Sequence, residues 1–225
     1  MHLHLTYYFI TLEIDQLRIR IIEEARQQFQ VNGLKRVTMS DISQAIGVSK
    51  KTLYTVFSNK KELVEATLSY HMEEDINYME EVNELDEDAV FKLAKTFYYF
   101  YERVRIVNPM TFMDMKKFYP EIWSKYECHK KGCFHDTLIS IIQQGCSEQL
   151  FYGDIDVELL VIMRMWQVET AFDHNFFPHD RFPLAKMQLE FFKHFIRGIA
   201  TPNGVKLLDQ YLTEFNKQDN QSTIL

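Results

Sequence analysis

The chain has 225 residues, of which 46% are hydrophobic and 14% aromatic, so it can bury a sizeable core. Its 7 Gly and 5 Pro are fewer than an all-β fold with many turns normally needs. No apolar run is long enough to predict a transmembrane helix, and residues 1–12 lack the features of a signal peptide. The odd count of 3 Cys favours reduced thiols in a cytoplasmic protein.

Charge is distributed unevenly along the chain. Residues 15–61 hold nine Lys or Arg against four acids, a net charge of +5, whereas the whole chain carries −7. Residues 1–14 hold one acid and no Lys or Arg, so residues 62–225 sum to −11. A basic segment joined to an acidic one is typical of a protein whose basic part meets nucleic acid. A solvated helical surface would also explain the charge taken alone.

Residues 38–46 form the first short amphipathic helix of the basic segment. Thr38 and Asp41 are three residues apart and predict a capping box. Gly47 follows and permits a sharp turn. Between Thr38 and Gly47, an apolar stripe recurs at helical spacing: Met39, Ile42, Ala45 and Ile46.

A second short helix follows the turn. Ser49 can cap it, and Leu53 and Phe57 mark its buried side. The remaining side chains are donors and acceptors suited to phosphates and base edges: Lys50, Lys51, Thr52, Tyr54 and Thr55. Two capped helices joined by a tight turn predict a helix-turn-helix, which places its second helix in the DNA major groove.

A third helix begins at the next cap pair, Asn59 and Glu62. Lys60 and Lys61 lie in its first turn, where cations oppose the helix dipole. Such a placement costs stability unless an anion compensates, and we expect a DNA phosphate there.

The segment from Ile21 to Leu63 resembles the TetR family of transcriptional regulators. The similarity begins in the first helix with Ala25, Phe29 and Gly33. It continues at fixed spacing through Ile42, Ala45, Gly47, Val48, Ser49, Thr52, Leu53, Tyr54, Phe57, Lys60 and Leu63. The chain departs from the family's usual residues at Ser43, Ile46, Lys51 and Val56, and the last two leave the operator sequence undetermined.

The resemblance implies roles for individual residues. Thr38, Tyr54 and Lys60 correspond to backbone-phosphate contacts. Lys50, Lys51, Thr52 and Thr55 correspond to contacts with the bases or close to them. Thr38 could equally be a helix cap alone, and Tyr54 could pack its ring on the first helix. We expect Leu53 and Phe57 to be core residues.

The rest of the chain predicts further helices, so the fold class is all-α. Pro109 and Pro120 bracket a short helix, a longer one can kink near Gly132, and Thr201 with Pro202 opens the last. The expected divisions are an N-terminal extension (1–14), a three-helix DNA-binding domain (15–62), a larger helical regulatory and dimerisation domain (63–216) and a polar tail (217–225). We assign the extension no function.

Two late helices, near 157–172 and 183–199, are apolar around much of their circumference. A helix in a small domain has to bury such a surface on more than one side. The family's usual four-helix dimer interface would supply the second partner, and two heads one DNA turn apart suit a palindromic site. The expected interface residues are Leu160, Met163, Gln167, Leu189, Phe192 and Ile196. A purely internal helix pair is the alternative.

The resemblance also implies a small-molecule pocket among the middle helices. We expect a lipophilic effector and a pocket drawn from Tyr98, Tyr101, Phe112, Met115, Trp123, Tyr126, Trp166 and Phe176. Core packing is the more frequent role of any single one of these side chains. Trp123 and Trp166 are the strongest candidates because a large ring also offers a donor.

Other functional classes find less support. The chain has no phosphate loop, GxSxG elbow or HExxH motif, so we expect no enzyme. Cys128, His129, Cys133 and His135 lack CxxC spacing, and His174 and His179 are too few, so we expect no metal and no cofactor. The expected partners are double-stranded operator DNA, a small-molecule effector and a second copy, with no membrane. A protein-interaction adaptor without sequence-specific DNA binding is the alternative.

Overall fold

A computed structural model describes the backbone of residues 2–222 and the side chains of residues 14–215 other than 129 and 133. The helices are α1 (His2–Asn32), α2 (Met39–Ala45), α3 (Lys50–Val56), α4 (Lys60–Glu84), α5 (Ala89–Ile106), α6 (Met110–Phe118), α7 (Pro120–His129), α8 (His135–Ser147), α9 (Val157–Thr170), α10 (Leu184–Ile199) and α11 (Pro202–Ser222). Within this described chain, β-structure is limited to one antiparallel bridge between Phe151 and Ala200. The all-α prediction is confirmed.

Two expectations concern parts of the chain at the limits of this description. The side chains of the N-terminal extension up to residue 13, and those of the polar tail, lie outside the described residues. Among the helices that are described, none has both the length and the hydropathy needed to cross a membrane.

The chain packs as two compact units. The first contains residues up to 74 together with 107–126, and the second contains 75–106 and everything from 127 onward. In the first unit, α6 joins the N-terminal helices because the Thr111 hydroxyl donates to the Phe29 carbonyl at 2.9 Å and Asp114 accepts from the Lys35 amide at 3.0 Å. The expected domain boundary at residue 62 stays a prediction, because packing does not show where a functional domain ends.

The core of the first unit lies among α1 to α4, α6 and α7. Ile21, Ala25, Leu53, Phe57 and Leu63 have no exposed surface. Each comes from an apolar stripe at helical spacing, so every short helix is held by one face and leaves the opposite face in water.

The core of the second unit lies among α5, α8, α9, α10 and α11. Phe97 stacks on Phe192 with ring centroids 4.0 Å apart. Gln188 is buried, and its side-chain amide donates to the Val168 carbonyl at 2.9 Å, which ties α10 to the end of α9. An apolar stack and a satisfied buried amide thus hold the same helix.

The long helix that was predicted to kink near Gly132 contains a π-helical turn there, Lys130–Phe134, between α7 and α8. The Lys130 ammonium donates to Glu127 at 2.9 Å and to Glu169 at 2.6 Å. The predicted start of the last helix is also confirmed, because α11 begins at Pro202 and the Thr201 hydroxyl accepts from the Gly204 amide at 3.4 Å.

Replacing Gly204 with Ala should destabilise the second unit. A Cβ at this position would lie 2.2 Å from the Leu150 carbonyl oxygen. That carbonyl already accepts from the Thr201 amide at 2.9 Å, so the backbone cannot move away freely. We expect a loss of about 1–3 kcal/mol, measured as a lower midpoint in thermal unfolding. Gly153→Ala is the control, since nothing lies within 4 Å of its added Cβ. Equal midpoints for the two variants would contradict this packing.

Candidate nucleic-acid interface

Helix α2 begins at the predicted capping box. The Asp41 carboxylate accepts from the Thr38 amide and from the Thr38 hydroxyl, both at 2.8 Å, and the Thr38 hydroxyl accepts from the Asp41 amide at 3.2 Å. The two hydrogen bonds that Thr38 donates hold the pKa of Asp41 below its ordinary value. Thr38 is therefore a cap, and its hydroxyl hydrogen must leave Asp41 before it can be donated to a phosphate.

The turn between α2 and α3 depends on Gly47, whose φ of 72° lies in the left-handed region. The turn is closed by backbone hydrogen bonds from Gly47 to the Gln44 carbonyl at 3.2 Å and from Val48 to the Ser43 carbonyl at 3.0 Å. Val48 and Ile46 pack against the core of the first unit. This turn sets the angle at which α3 leaves α2.

Helix α3 presents one face to the core and the other to solvent. Leu53 and Phe57 are fully buried, which confirms the predicted core positions. Lys50, Lys51 and Thr55 are exposed, and Tyr54 keeps 49% of its surface in solvent. Thr52 is partly buried. The structure therefore leaves this predicted contact set accessible along one short helix.

Hydroxyl groups along α3 are ordered by local hydrogen bonds. Ser49 accepts from the Thr52 amide at 3.0 Å and lies 2.8 Å from the Thr52 hydroxyl. The Thr55 hydroxyl donates to the Thr52 carbonyl at 2.6 Å. Because its hydrogen is engaged, the Thr55 oxygen is available as an acceptor, which suits the exocyclic amino groups of adenine or cytosine.

The start of α4 carries the two lysines that oppose the helix dipole. Asn59 accepts from the Glu62 amide at 3.0 Å, and Glu62 in turn accepts from the Ser58 amide at 2.7 Å. Lys61 forms an ion pair with Glu121, so this cation is compensated inside the chain. The sequence pattern does not reveal that compensation, because the two residues are distant in sequence.

Lys60 has a different environment. Its ammonium donates to the Lys35 carbonyl at 3.3 Å. Burial lowers the pKa of Lys60, and the negative charges of Asp114 and Asp41 offset this only partly. An anion arriving beside Lys60 would favour its charged form, as a DNA phosphate would.

Comparison with known proteins supports this interpretation of the interface. A family model described as bacterial regulatory proteins of the tetR family matches residues 21–67. The family match thus spans 47 of the 225 residues of the chain. The match covers the cap at Thr38, the turn at Gly47, the exposed face of α3 and the start of α4.

Two curated relatives are similar to this chain to different extents. The HTH-type transcriptional regulator YvaF of Bacillus subtilis is 24% identical over 163 residues, which is 70% of this chain and 82% of YvaF. The HTH-type transcriptional regulator TtgR of Pseudomonas putida is 41% identical over 56 residues, which is 25% of this chain and 27% of TtgR. Similarity to TtgR is thus confined to a short segment.

Solved structures share the fold over most of the chain. A TetR-family transcriptional regulator from Agrobacterium tumefaciens superposes with a TM-score of 0.69 at 15% identity, covering 84% of this chain and 100% of that one. A transcriptional regulator from Saccharomonospora viridis, solved in complex with choline, has a TM-score of 0.63 at 16% identity and covers 83% and 99%. At such identities the likeness concerns the fold alone.

The residues predicted to line an effector pocket are divided between the two units. Phe112, Trp123 and Tyr126 form an aromatic cluster in the first unit, with Phe112 and Trp123 centroids 4.9 Å apart, and Met115 is buried in the same core. In the second unit, the Tyr101 ring centroid lies 5.4 Å from that of Phe97. Tyr98 belongs to the second unit as well, 5.5 Å from Phe215.

Two pocket predictions need correction. Trp166 keeps 67% of its surface exposed and Phe176 keeps 68%, so neither lines an interior site of this chain. Trp166 lies on the outer face of α9, because its register places it opposite the fully buried Val161. Because α9 has apolar residues on most sides, its sequence did not indicate which face points inward.

The dimer prediction needs a similar correction at two positions. Phe192 is 2% exposed and Ile196 has no exposed surface, so both are core residues of the second unit and offer nothing to a partner. Leu160, Gln167 and Leu189 are partly buried, and Met163 is 49% exposed. The predicted interface omitted Leu159 and Ile162, which are 53% and 51% exposed. Leu159 lies four residues before Met163, and Ile162 lies four residues before Trp166. This helical spacing could have revealed a second apolar stripe.

The cysteine and histidine cluster lies partly outside the described residues, because the side chains of His129 and Cys133 are not described. Cys128 is exposed, and His135 Nδ1 lies 3.0 Å from Asp136. His174 and His179 meet edge to face, with His179 Nε2 3.0 Å from the Ala171 carbonyl oxygen. Both described histidine contacts are ordinary local ones.

Acid should remove the benefit of the Asp41 cap. The folded-state pKa of Asp41 lies below the ordinary value of 3.8, so its stabilising contribution is complete above that value and is lost as the pH falls through the lower folded pKa. We expect the thermal midpoint of Asp41→Asn to lie below that of the original chain at pH 7 and to approach it as the pH falls below the ordinary value of 3.8. Asp15→Asn, an exposed acid of α1, is the matched control. A midpoint difference that does not change with pH would contradict this role.

Proposed function

We propose that this TetR-family chain is a ligand-responsive repressor that binds a palindromic operator as a homodimer and leaves it when a small lipophilic effector binds. The observation that carries the DNA-binding part is the face of α3: Leu53 and Phe57 anchor the helix, and Lys50, Lys51, Tyr54 and Thr55 remain accessible. A regulator with this interface acts where the chromosome is, in the cytoplasm.

The chemistry of the exposed face supports a division of labour. Lys50 and Lys51 stand at the start of α3 and can donate to phosphates or to guanine acceptors. Tyr54 can donate its hydroxyl to a phosphate. Lys60, at the start of α4, would neutralise a phosphate that also satisfies its helix dipole.

The outer stripe of α9 supports the homodimer. Leu159, Ile162, Met163 and Trp166 are each about half or more exposed, on a helix whose inner face is already packed. Contiguous apolar surface of this kind marks an interaction site. A two-fold axis pairs identical surfaces, and it would present two α3 helices about 34 Å apart to successive major grooves.

The effector part of the proposal is supported by the fold. The similar regulator from Saccharomonospora viridis was solved in complex with choline, so this fold accommodates a small molecule. In the present chain, the candidates for contact with the effector are Tyr98 and Tyr101 in the second unit and Phe112, Met115, Trp123 and Tyr126 in the first. Effector binding would change the spacing of the two heads.

Neutralising the start of α3 should weaken DNA binding. The double variant Lys50→Ala, Lys51→Ala should lose about tenfold or more in affinity at low salt for a duplex selected by the original protein from a random pool. Its dependence on salt should also become shallower by about one unit for each phosphate contact that is lost. Titration in a gel-shift assay at several salt concentrations measures both quantities.

Lys206→Ala is the matched control, because Lys206 is an exposed lysine of α11 in the second unit. It should bind like the original chain. Unchanged affinity in the double variant at low salt would sink the recognition-helix assignment, and absence of duplex binding by the original chain would favour the adaptor alternative.

A charge on the outer stripe of α9 should break the dimer. Met163→Asp should sediment as a monomer at concentrations where the original chain is a dimer, because a carboxylate would be buried without a partner. Ile106→Asp is the control: Ile106 is 59% exposed at the end of α5, and its variant should remain dimeric. A dimer that persists in Met163→Asp and in Trp166→Glu would place the interface elsewhere.

A further inference from the structure

Arg164 of α9 is a cation on the inner side of its helix that has no hydrogen-bond or ion-pair partner among the described residues. Val161, three residues earlier, is fully buried, whereas the exposed stripe runs along the opposite side. The Nη1 atom of Arg164 is buried and makes no hydrogen bond within the described part of the chain. The residue as a whole is partly buried. Polar atoms that are cut off from water are normally hydrogen-bonded, because an unpaired buried donor is unfavourable.

The electrostatic environment agrees with this absence of a partner in the described chain. Burial alone lowers the pKa of Arg164 to about 10, and no carboxylate of the described residues opposes the shift. At neutral pH the side chain is therefore still charged. The burial that lowers its pKa makes the charged form of the side chain less favourable than it would be in water.

Carboxylates on the elements packed against α9 are engaged elsewhere. Glu169, on α9 itself, accepts from Lys130 of the π-helical turn at 2.6 Å. Glu190 of α10 pairs with Lys193 at 3.2 Å, and Asp136 of α8 lies beside His135. A salt bridge from Arg164 to any of these acids would require that an existing contact be broken.

The surroundings of the guanidinium are aromatic. Its carbon lies 5.9 Å from the ring centroids of Phe192 and Phe195, near the outer limit of a cation–π contact. Phe97 stacks behind Phe192, with centroids 4.0 Å apart. One turn further along α9, the side-chain oxygen of Gln167 is also buried without a hydrogen-bond partner among the described residues.

We propose that Arg164 is the anchor of a binding site, inside the second unit, for a lipophilic carboxylic acid. The guanidinium would hold the carboxylate, Phe192 and Phe195 would contact the apolar body, and Gln167 would accept from a hydroxyl or amide group of the ligand. This proposal gives the chemical class of the proposed effector. It rests on the proposed function only for the claim that the acid bound at Arg164 is the effector.

A carboxylate of a second copy is the other anion that could meet Arg164. The placement disfavours it, because Nη1 is buried on the side of α9 that faces its own unit, whereas the exposed stripe lies opposite. Sedimentation of Arg164 variants distinguishes a ligand carboxylate from a carboxylate of a second copy.

The test compares acids with alcohols of the same skeleton by calorimetry on the full chain without DNA. Decanoate is paired with decan-1-ol, and 2-naphthoate with 2-naphthol. For at least one pair, the original chain should bind the acid about tenfold or more tightly than the alcohol, the gain expected from a charge-assisted hydrogen bond. Arg164→Met should bind both members of that pair equally, and Arg164→Lys should retain part of the preference. Arg181→Gln, which removes an exposed arginine from the same unit, should retain all of it.

A second measurement distinguishes a ligand anchor from a structural arginine. Without ligand, Arg164→Met should unfold at a higher temperature than the original chain, because an uncompensated buried charge has been removed. A lower midpoint together with an unchanged preference for acids would overturn the proposal. So would equal binding of acids and alcohols to the original chain.

Sedimentation of the same variants covers the remaining alternative. If Arg164→Met becomes monomeric while it keeps its preference for acids, the guanidinium meets a second copy and the proposal is wrong. These binding experiments contain no DNA. A negative result would therefore contradict the acid-binding site without contradicting operator binding, and a negative DNA-binding assay would not contradict the acid-binding site.

Discussion

Burial of Leu53 and Phe57 is the constraint on which the DNA-binding part of this protein depends. Helix α3 has only seven residues, too few to be stable alone in water. Its conformation is maintained by the Ser49 cap and by those two side chains in the core of the first unit. Because the inner face is fixed, the orientation of the helix is fixed as well, and Lys50, Lys51, Tyr54 and Thr55 face solvent.

Helix α9 is subject to a different constraint, because it has one face packed in the core and an apolar face exposed to solvent. Val161 packs inside the second unit while Met163 and Trp166 lie in solvent. Arg164 on the inner side is a local conflict, a charge among aromatic rings that core packing does not need. Conflicts of this kind concentrate at functional sites. The two faces also explain how one helix could take part in both assembly and ligand binding.

Local signals predicted most of the helical structure. The Thr38 and Asp41 pair, the Gly47 turn and the Thr201–Pro202 start act over a few residues, so their geometry follows from the sequence around them. The departure near Gly132 was also foreseen, although its π-helical form was not. Errors arose where a helix is apolar on several sides. Phe192 and Ile196 were expected outside and are buried, and Trp166 was expected inside and is exposed.

The sequence by itself determined the capped helix-turn-helix, the start of the last helix and the basic character of the α3 face, because caps, turns and periodicity are local properties of the chain. Only the tertiary structure decided which side of α9 faces inward, that Glu121 neutralises Lys61, and that Arg164 is left without a partner among the described residues. These are relations between residues far apart in sequence or on different sides of one helix. Burial and pairing at such positions depend on how the helices pack, which no local pattern encodes.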